Sequence, residues 1–265
     1  HPPFGIREYQ RVLTGPAYAK KLVETAQSAG VNIALKTTVT MLGPGGELSI
    51  VSPAGSKKLP AKRVMLATGI RETPRSARLV SGNRALGICT TGVLQSMVYL
   101  KNRIPFRRPV VVGTEIVSFS ALLTCRDASF QPVAMLEEKL RPSVRWPIYE
   151  LARWFGVPLY LQTEIINILG NERVEAVQVS DKNGKVRDIA CDGVLFTGQY
   201  TPESNLARIS HLTLDPETNS PDVDEFGRCS DPVYYAAGNV VQPPCNQAKV
   251  PIYYVAGNLP NPVDN

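Results

Sequence analysis

The feature that most constrains the fold of this chain is an apolar run at residues 64–67 that is followed by Thr68 and Gly69. The run is bounded by Arg63 and by this Thr-Gly pair, which is typical of a buried strand that ends in a turn. Glycine has no Cβ, so a ligand can approach the backbone closely at Gly69, and Thr68 adds a hydroxyl that can donate or accept. An ordinary core strand followed by a turn gives the same pattern, and the residues alone leave both interpretations open.

Two further segments repeat the theme of a strand that ends at a glycine. Residues 231–239 carry an apolar strand that ends at Gly238 and Asn239, and residues 108–121 predict a strand, a turn that begins at Gly113, and a helix. In this order the three segments resemble the FAD-dependent pyridine-nucleotide-disulphide oxidoreductase superfamily, the flavoproteins with two dinucleotide domains. The Arg-Glu-Thr-Pro-Arg segment at 71–75 narrows the resemblance to the branch of hydrogen cyanide synthase, opine oxidase and sarcosine oxidase alpha-type subunits. Residues 90–95, 1–5 and 13–19 fit that branch too.

The resemblance implies an α/β fold, in which a parallel sheet with helices is combined with a β-meander. It implies an FAD-type domain in two parts, with an NAD(P)-type domain inserted between them. The expected ranges are 1–105, 106–200 and 201–265. Its implied activity is that of an enzyme that oxidises a small amine, amino acid or hydroxy acid by hydride transfer to FAD, with NAD(P) as a second cofactor.

The same resemblance names candidate cofactor-binding residues but no catalytic side chain, because in such enzymes the cofactor carries the chemistry. Asn239 stands where the family typically has Asp, and an amide can still form hydrogen bonds there. The candidates around FAD are Val39, Ala67, Thr68, Gly69, Gly238 and Asn239. The candidates around the nicotinamide dinucleotide are Gly113, Thr114 and Gly198.

The sequence departs from the family where the FAD-type domain should begin. The parent fold opens with a strand, a G-x-G-x-x-G turn and a helix that hold the pyrophosphate, followed by an acidic residue for the ribose. None of these lies upstream of Gly30. We therefore expect the chain to be N-terminally incomplete by roughly forty residues, the usual length of such a start, and to bind FAD fully only in the full-length protein.

A second departure is Glu115, which lies in the turn after Gly113 where a dinucleotide-binding turn prefers glycine. Its charge would repel a phosphate roughly 4 Å away by about 4 kcal/mol at a surface-like dielectric. The turn is therefore either a nicotinamide site of reduced affinity or only a connection between strand and helix. Glu137 and Glu138 follow the next strand, where a ribose-binding acid would favour NAD over NADP, although such a pair is also typical of a solvated face.

Composition excludes several other classes of function. The formal charge is +6, but the basic residues are dispersed and form no aromatic-studded face, so we expect no nucleic-acid partner. No apolar run approaches the about 18 residues of a membrane span, and no secretory leader opens the chain, which predicts a cytoplasmic protein. The five cysteines include no C-x-x-C pair, so neither a redox disulphide nor a metal site is expected. His211 has no catalytic partner at motif spacing.

These observations leave two hypotheses. In the first, the chain is part of an FAD-dependent oxidase or dehydrogenase with a small-molecule substrate. In the second, it is a non-catalytic or electron-relay subunit that depends on a partner oxidoreductase subunit, or it assembles as a homo-oligomer.

Local patterns predict the main elements, with the aromatic residues of the last helix in the core. The predicted helices are 17–29, a helix capped by Thr90 or Thr91 that runs to 100, and 146–154. The predicted strands are 31–40, 48–51, 57–60, 130–136, 158–161, 165–169, 174–179 and 186–190.

Overall fold

The computed structural model describes residues 9–241 of the 265-residue chain. Five α-helices are present in this part: α1 (Gly15–Ser28), α2 (Thr91–Gln95), α3 (Ile116–Asp127), α4 (Glu150–Trp154) and α5 (Asn205–Arg208). The strands of the same part are β1 (Thr38–Leu42), β2 (Glu47–Ser52), β3 (Gly55–Pro60), β4 (Val64–Leu66), β5 (Ile70–Glu72), β6 (Ser81–Gly82), β7 (Ile88–Thr90), β8 (Pro109–Val112), β9 (Ala134–Glu137), β10 (Leu159–Leu161), β11 (Thr163–Leu169), β12 (Ala176–Asp181), β13 (Val186–Ala190), β14 (Gly193–Phe196), β15 (Tyr200–Pro202) and β16 (Tyr234–Ala236).

The described chain forms two compact units. One, the sheet unit, contains residues 9–29 and 72–199, and the other, the meander unit, contains residues 30–71 and 200–241. The change at 199/200 lies close to the expected end of the inserted domain. Its expected start, at 106, differs from the observed change at 71/72, because β7 pairs in parallel with β14 and so joins the sheet unit. The cofactor assigned to each range stays a prediction.

The sheet unit is built on a five-stranded parallel sheet of order β10-β9-β8-β14-β7. Its three inner strands, β9, β8 and β14, are buried along their whole length, as expected for a parallel sheet that is covered on both faces. Val110 and Val112 pack on one face, whereas Val111 packs on the other, following the two-residue alternation of a strand. The predicted α/β class with a parallel sheet is confirmed.

Different elements pack on the two faces of this sheet. One face packs on a second sheet of order β13-β12-β11-β6, which contributes Ile168, Val177 and Val179 to the shared core. The other face packs on helices, through Leu94 of α2 and Phe119 of α3 among others. The sheet unit thus has three layers.

The meander unit contains an antiparallel sheet of order β1-β2-β3 and a parallel pair of strands, β4 and β16. Leu42 and Ile50 from the first sheet and Leu66 and Tyr234 from the pair lie in one apolar cluster. The Tyr234 hydroxyl donates to the backbone oxygen of Gly43 at 2.6 Å. The predicted β-meander is therefore present, and it shares an apolar core with β4, the strand predicted at residues 64–67.

Several predicted elements are shorter than expected. The strand predicted at 130–136 is reduced to β9, Ala134–Glu137. The strand predicted at 31–40 begins only at Thr38, because Lys36 has a φ of 53° and the preceding residues form a turn with exposed side chains. The helix predicted at 146–154 begins at Glu150. Its two tryptophans, Trp146 and Trp154, are exposed rather than in the core, so that part of the prediction is wrong.

The start of α1 has a clear local cause. Thr14 caps α1, accepting from the Ala17 backbone N–H, and Pro16 lies in the first turn. Among residues 9–241, no helix is long and apolar enough to cross a bilayer. The same part of the chain holds no group of three or more His, Cys, Asp or Glu side chains suited to a metal ion. Cys245 and the segment 1–5 lie outside the described residues.

Candidate functional site

The first candidate site is the edge where β4 and β16 end together. The two strands pair in parallel, with Ala236 opposite Leu66, and the Ala237 N–H donates to the Leu66 carbonyl at 3.0 Å. Because parallel strands present their carboxyl ends at one edge, the residues that follow each strand are neighbours. We call this group the strand-end edge. Its members are Ala67, Thr68, Gly69, Gly238 and Asn239.

The backbone of the strand-end edge is open. Gly69 has a φ of 75° and Gly238 a φ of 79°, and a methyl group added at either position would meet no atom of residues 9–241 within 4 Å. Ala67, Thr68 and Asn239 are exposed. An open backbone with left-handed glycines is what a dinucleotide needs for close approach. The residues present therefore fit the FAD that the resemblance implies.

Thr68 differs from the expectation of a hydroxyl free for a ligand. Its Oγ1 donates to the backbone oxygen of Glu203 at 2.6 Å, and the Glu203 N–H donates to the Gly69 carbonyl at 2.9 Å. The Glu203 carboxylate also lies 3.5 Å from Arg71. These contacts fix the turn between Thr68 and Gly69, so the Thr68 hydroxyl positions backbone and only its lone pairs remain for a ligand.

Val39 and Asn239 occupy different settings. Val39 lies in β1 opposite Ile50, half-buried against the apolar cluster that also contains Leu66 and Ala236. Asn239 lies in a short 3-10 turn, Gly238–Val240, directly after β16. Asn239 therefore lies on the strand-end edge. Val39 does not belong to that edge and packs against the same apolar cluster as the strands that end there.

The second candidate site is the turn after β8, in the sheet unit. Gly113 has a φ of 111°, and its N–H donates to the Leu136 carbonyl at 2.8 Å, at the end of the neighbouring strand. Thr197, which follows β14, donates through its N–H to the Val112 carbonyl at 2.9 Å. Gly113 and Gly198 thus lie beyond the ends of adjacent parallel strands, as the resemblance requires.

The side chain of Glu115 fills the space between these two glycines. A methyl group added at Gly113 would lie 2.7 Å from Oε2 of Glu115, and one added at Gly198 would overlap the same carboxyl group. Oε2 is buried and has no hydrogen-bond partner within the described residues. Glu115 is also the N-cap residue of α3, yet its side chain caps no helix N–H.

Burial raises the pKa of Glu115 above its ordinary value, and the nearby Glu137 carboxylate adds to the increase. Lys139 and Arg78 oppose this shift in pKa through their positive charges. Arg78 is itself fixed, because its guanidinium donates to the carbonyls of Thr197 and Gly198, each at 2.8 Å. The positive charge of Arg78 thus lies near the Glu115 carboxyl group, while these two hydrogen bonds of its guanidinium group go to backbone carbonyls.

Glu137, the candidate ribose acid, is buried and already has partners. The Thr114 hydroxyl donates to its Oε2, and the Lys139 N–H donates to its Oε1 at 3.1 Å. The Ser143 N–H donates in turn to the Thr114 hydroxyl at 2.8 Å. Glu137 and Thr114 therefore tie the Gly113 turn to the loop after β9 rather than facing open space.

Three residues with a role in these sites are not among the predicted site residues. Glu203 fixes the Thr68 turn, Arg78 holds the backbone at Gly198, and Glu72 accepts from the Gly198 N–H at 3.3 Å and from the Gly92 N–H at 3.0 Å. Glu72 belongs to the Arg-Glu-Thr-Pro-Arg segment, so the signal available for it was the resemblance of that segment to a branch of the family.

His211 does gain an acidic partner, at a distance in sequence that no catalytic motif uses. Its Nε2 lies 2.9 Å from Oδ2 of Asp231, which also accepts from the N–H groups of Gly45 and Val233. The Val233 N–H is the main cause of the lowered pKa of Asp231, followed by the bond to His211. No nucleophile among residues 9–241 is bonded to this pair, and its contacts hold loops of the meander unit together.

A cleft of about 520 Å³ lies elsewhere in the sheet unit. It is formed by residues of α4 and the chain that leads to β10, including Tyr149, Arg153 and Val157. None of the predicted site residues lines it, and we assign it no function.

The two candidate sites differ in how they suit a dinucleotide. The strand-end edge offers open glycine backbone, whereas the Gly113 turn is filled by Glu115 and its neighbouring acid is engaged by Thr114. The Gly113 turn does not fit a nicotinamide dinucleotide in the arrangement seen here.

Solved structures share this architecture. Thioredoxin reductase of T. acidophilum superposes with a TM-score of 0.71 at 20% identity, over 92% of this chain and 79% of that chain. Thioredoxin reductase of Lactococcus lactis gives a TM-score of 0.68 at 18% identity, over 87% and 74% of the two chains. A FAD-dependent pyridine nucleotide-disulphide oxidoreductase from Desulfovibrio vulgaris gives 0.62 at 18% identity, and 78% of this chain covers 53% of that one.

The chain thus spans about half of the Desulfovibrio vulgaris protein. No curated protein sequence matches the chain. At these identities the structures show the fold alone. The family model of the pyridine nucleotide-disulphide oxidoreductases matches residues 28–257, most of the chain and both candidate sites. The chain therefore belongs to the pyridine nucleotide-disulphide oxidoreductase family, a family of FAD-dependent enzymes.

Proposed function

We propose that the full-length protein is an FAD-dependent oxidoreductase that oxidises a small amine, amino acid or hydroxy acid, and that the strand-end edge is part of its FAD site. The observation that carries the proposal is the pair of open glycines, Gly69 and Gly238, at the ends of two paired parallel strands. Family membership supports the choice of FAD.

Each residue of the edge has a distinct part in this proposal. Gly69 and Gly238 let the dinucleotide approach the backbone, and Asn239 offers an amide for hydrogen bonds. Thr68 holds the first turn in place through Glu203. Bound FAD supplies the hydride acceptor. The remaining candidates, Val39 and Ala67, would contact the cofactor by packing.

The cysteines favour a substrate other than a disulphide. Thioredoxin reductases appear among the similar structures, but this chain has no C-x-x-C pair to relay electrons to a disulphide. Burial raises the pKa of Cys89 and of Cys125 to about 12, and that of Cys191 and of Cys229 to about 11. These four thiols therefore stay protonated at neutral pH and are poor nucleophiles.

The choice of amines, amino acids or hydroxy acids rests on the resemblance to the hydrogen cyanide synthase and opine oxidase branch. Its support in the sequence is the Arg-Glu-Thr-Pro-Arg segment at 71–75. In the structure, Glu72 of this segment binds backbone N–H groups within the sheet unit. The segment therefore has a structural role whichever substrate is used.

Anaerobic spectroscopy of the full-length protein tests the proposal. The purified protein should show the blue absorbance of a bound flavin, and this band should bleach when an amino acid, a secondary amine or a hydroxy acid is added from a panel. Absence of flavin would contradict the proposal. So would a flavin that is reduced only by NADPH and reoxidised by a small disulphide.

A second candidate function is a non-catalytic or electron-relay subunit of a hetero-oligomeric oxidoreductase. It is favoured by the Gly113 turn, which does not fit a nicotinamide dinucleotide. In the spectroscopic experiment, a bound flavin that bleaches only after a partner subunit is added would support this candidate over the first.

A further inference from the structure

We infer that Glu115 closes the second dinucleotide site of this chain, so that the sheet unit excludes NADH and NADPH although it keeps the strand, turn and helix that such a site uses. This inference concerns the sheet unit alone and holds whether or not the strand-end edge binds FAD. It makes Glu115 a residue that determines which cofactors the protein accepts.

The first step is the space that the carboxyl group occupies. In a working dinucleotide turn, glycine backbone lies open so that the pyrophosphate can approach it. Here Gly113 and Gly198 keep their left-handed conformations, with φ values of 111° and 65°. The carboxyl group of Glu115 lies against both of them. A ligand that reached either glycine would have to displace this side chain.

The second step is charge. Glu115 is the N-cap residue of α3, a helix of 12 residues whose N-terminus carries partial positive charge. In the parent arrangement that end of the helix receives the phosphates. A carboxylate at this end of the helix repels an incoming phosphate, although it makes no hydrogen bond to a helix N–H. The helix end that would attract a dinucleotide therefore carries an opposing charge from the chain itself.

The third step is the fixed surroundings. Arg78 donates to the carbonyls of Thr197 and Gly198, and Glu72 accepts from the Gly198 N–H. On the other side of the turn, the Thr114 hydroxyl is bonded to Glu137. Movement of Glu115 out of the turn would leave these contacts in place, so removal of its side chain should open the space without unfolding its walls.

The same contacts exclude a compensating interaction with the ribose. Both carboxylate oxygens of Glu137 already accept hydrogen bonds from the chain, from Thr114 and from the Lys139 N–H. Glu137 is also buried, so a ribose hydroxyl would have to displace the side chains around it to reach the carboxylate. The turn thus lacks both the phosphate contact and the ribose contact of a nicotinamide site.

Equilibrium dialysis of the full-length protein against NADH and NADPH tests this inference. The wild type should retain neither nucleotide at about 1 mM. Glu115→Gly, which removes both volume and charge, should bind at least one of them at least about tenfold more tightly. Glu115→Gln keeps the volume and removes the charge, so it should fall between the two.

Glu164→Gln serves as the matched control, because Glu164 is an exposed carboxylate of the same unit, in β11. It should bind as the wild type does. Thermal melting of every variant establishes that the protein tested is folded, and Glu115→Gln provides the comparison if Glu115→Gly is not. Micromolar binding of NADH or NADPH by the wild type would overturn the inference, and so would equal binding by the wild type and every folded Glu115 variant.

Discussion

At the scale of single residues, Glu115 carries a carboxyl group into a place where its Oε2 has no hydrogen-bond partner among the described residues. A buried polar atom that lacks a partner costs about 1–3 kcal/mol of stability. The chain reduces this cost in part, since Arg78 and Lys139 lower the pKa of Glu115 against the effect of burial. The residue therefore destabilises the unit that it closes, which is consistent with a functional rather than a structural origin.

The raised pKa of Glu115 gives a pH-dependent prediction. Because its pKa is higher in the folded than in the unfolded chain, the folded state binds more protons between those two values, and the free energy of unfolding falls as pH rises through them. Glu115→Gln removes this loss. We expect the variant to exceed the wild type in stability by on the order of 1 kcal/mol at pH 8, with a smaller advantage near pH 4.

Urea unfolding at the two pH values measures this difference directly. Glu164→Gln again provides the control, with no change in stability expected at either pH beyond about 0.5 kcal/mol. An advantage of Glu115→Gln that is the same at pH 4 and pH 8 would show that the carboxyl group does not titrate with a raised pKa.

At the scale of elements, α2 shows that a helix can begin on a distant side chain rather than on the threonines at its start. Thr90 makes no capping bond, and the Thr91 hydroxyl is buried and without a partner among the described residues. The Gly92 N–H instead donates to Glu72, 20 residues earlier. The predicted cap by Thr90 or Thr91 is therefore wrong. The helix begins where it was expected, but only Thr91–Gln95 is α-helical, and the chain continues to residue 100 as a π-helix, Ser96–Leu100.

Two substitutions distinguish a start of α2 that is held by Glu72 from one that is capped by Thr90. Glu72→Ala should destabilise the protein by about 1–2 kcal/mol, because it leaves the N–H groups of Gly92 and Gly198 without their acceptor. Thr90→Ala should cost less than about 0.5 kcal/mol. Chemical denaturation of both variants decides the matter, and a larger loss for Thr90→Ala would restore the cap that the sequence predicts.

The difference between local signals and contacts that join distant residues explains which features could be predicted from the sequence. Continuous apolar runs such as residues 110–112 and 193–196 specify buried parallel strands, and Pro16 and Thr14 specify the start of α1, since these signals are local. The contacts of Thr68 with Glu203 join residues 135 positions apart, and no local pattern encodes them. The candidate glycines were found because backbone conformation is local, whereas the side chains that support them were not.

At the scale of the whole molecule, the chain contains two sites at which paired parallel strands are followed by glycines. The two sites differ in whether this glycine backbone is open. At the strand-end edge the glycine backbone is open, and at the Gly113 turn it is covered by Glu115. Each is a property of its own compact unit. We therefore propose that the protein holds FAD at the strand-end edge and excludes NADH and NADPH from the Gly113 turn.

Flavin retention by two matched glycine variants of the full-length protein is the measurement that decides whether FAD binds at the strand-end edge. Gly69 and Gly184 have φ values of 75° and 74°, and an added methyl group at either meets no atom of the described part of the chain within 4 Å. Gly184 lies in the hairpin turn between β12 and β13, far in sequence from the strand-end edge. Alanine at either position should cost about 1 kcal/mol through backbone strain. Gly198→Ala is not a suitable control, because its methyl group would meet Glu115.

We therefore expect Gly69→Ala and Gly184→Ala to lower the melting temperature of the flavin-free protein to a similar degree. Only Gly69→Ala should weaken FAD binding, with a rise of about tenfold or more in the dissociation constant. The measurement is the ratio of flavin absorbance to protein after dialysis. A wild-type ratio near that of Gly184→Ala and a much lower ratio for Gly69→Ala is the predicted result, and equal ratios for the two variants would contradict the placement of FAD at the strand-end edge.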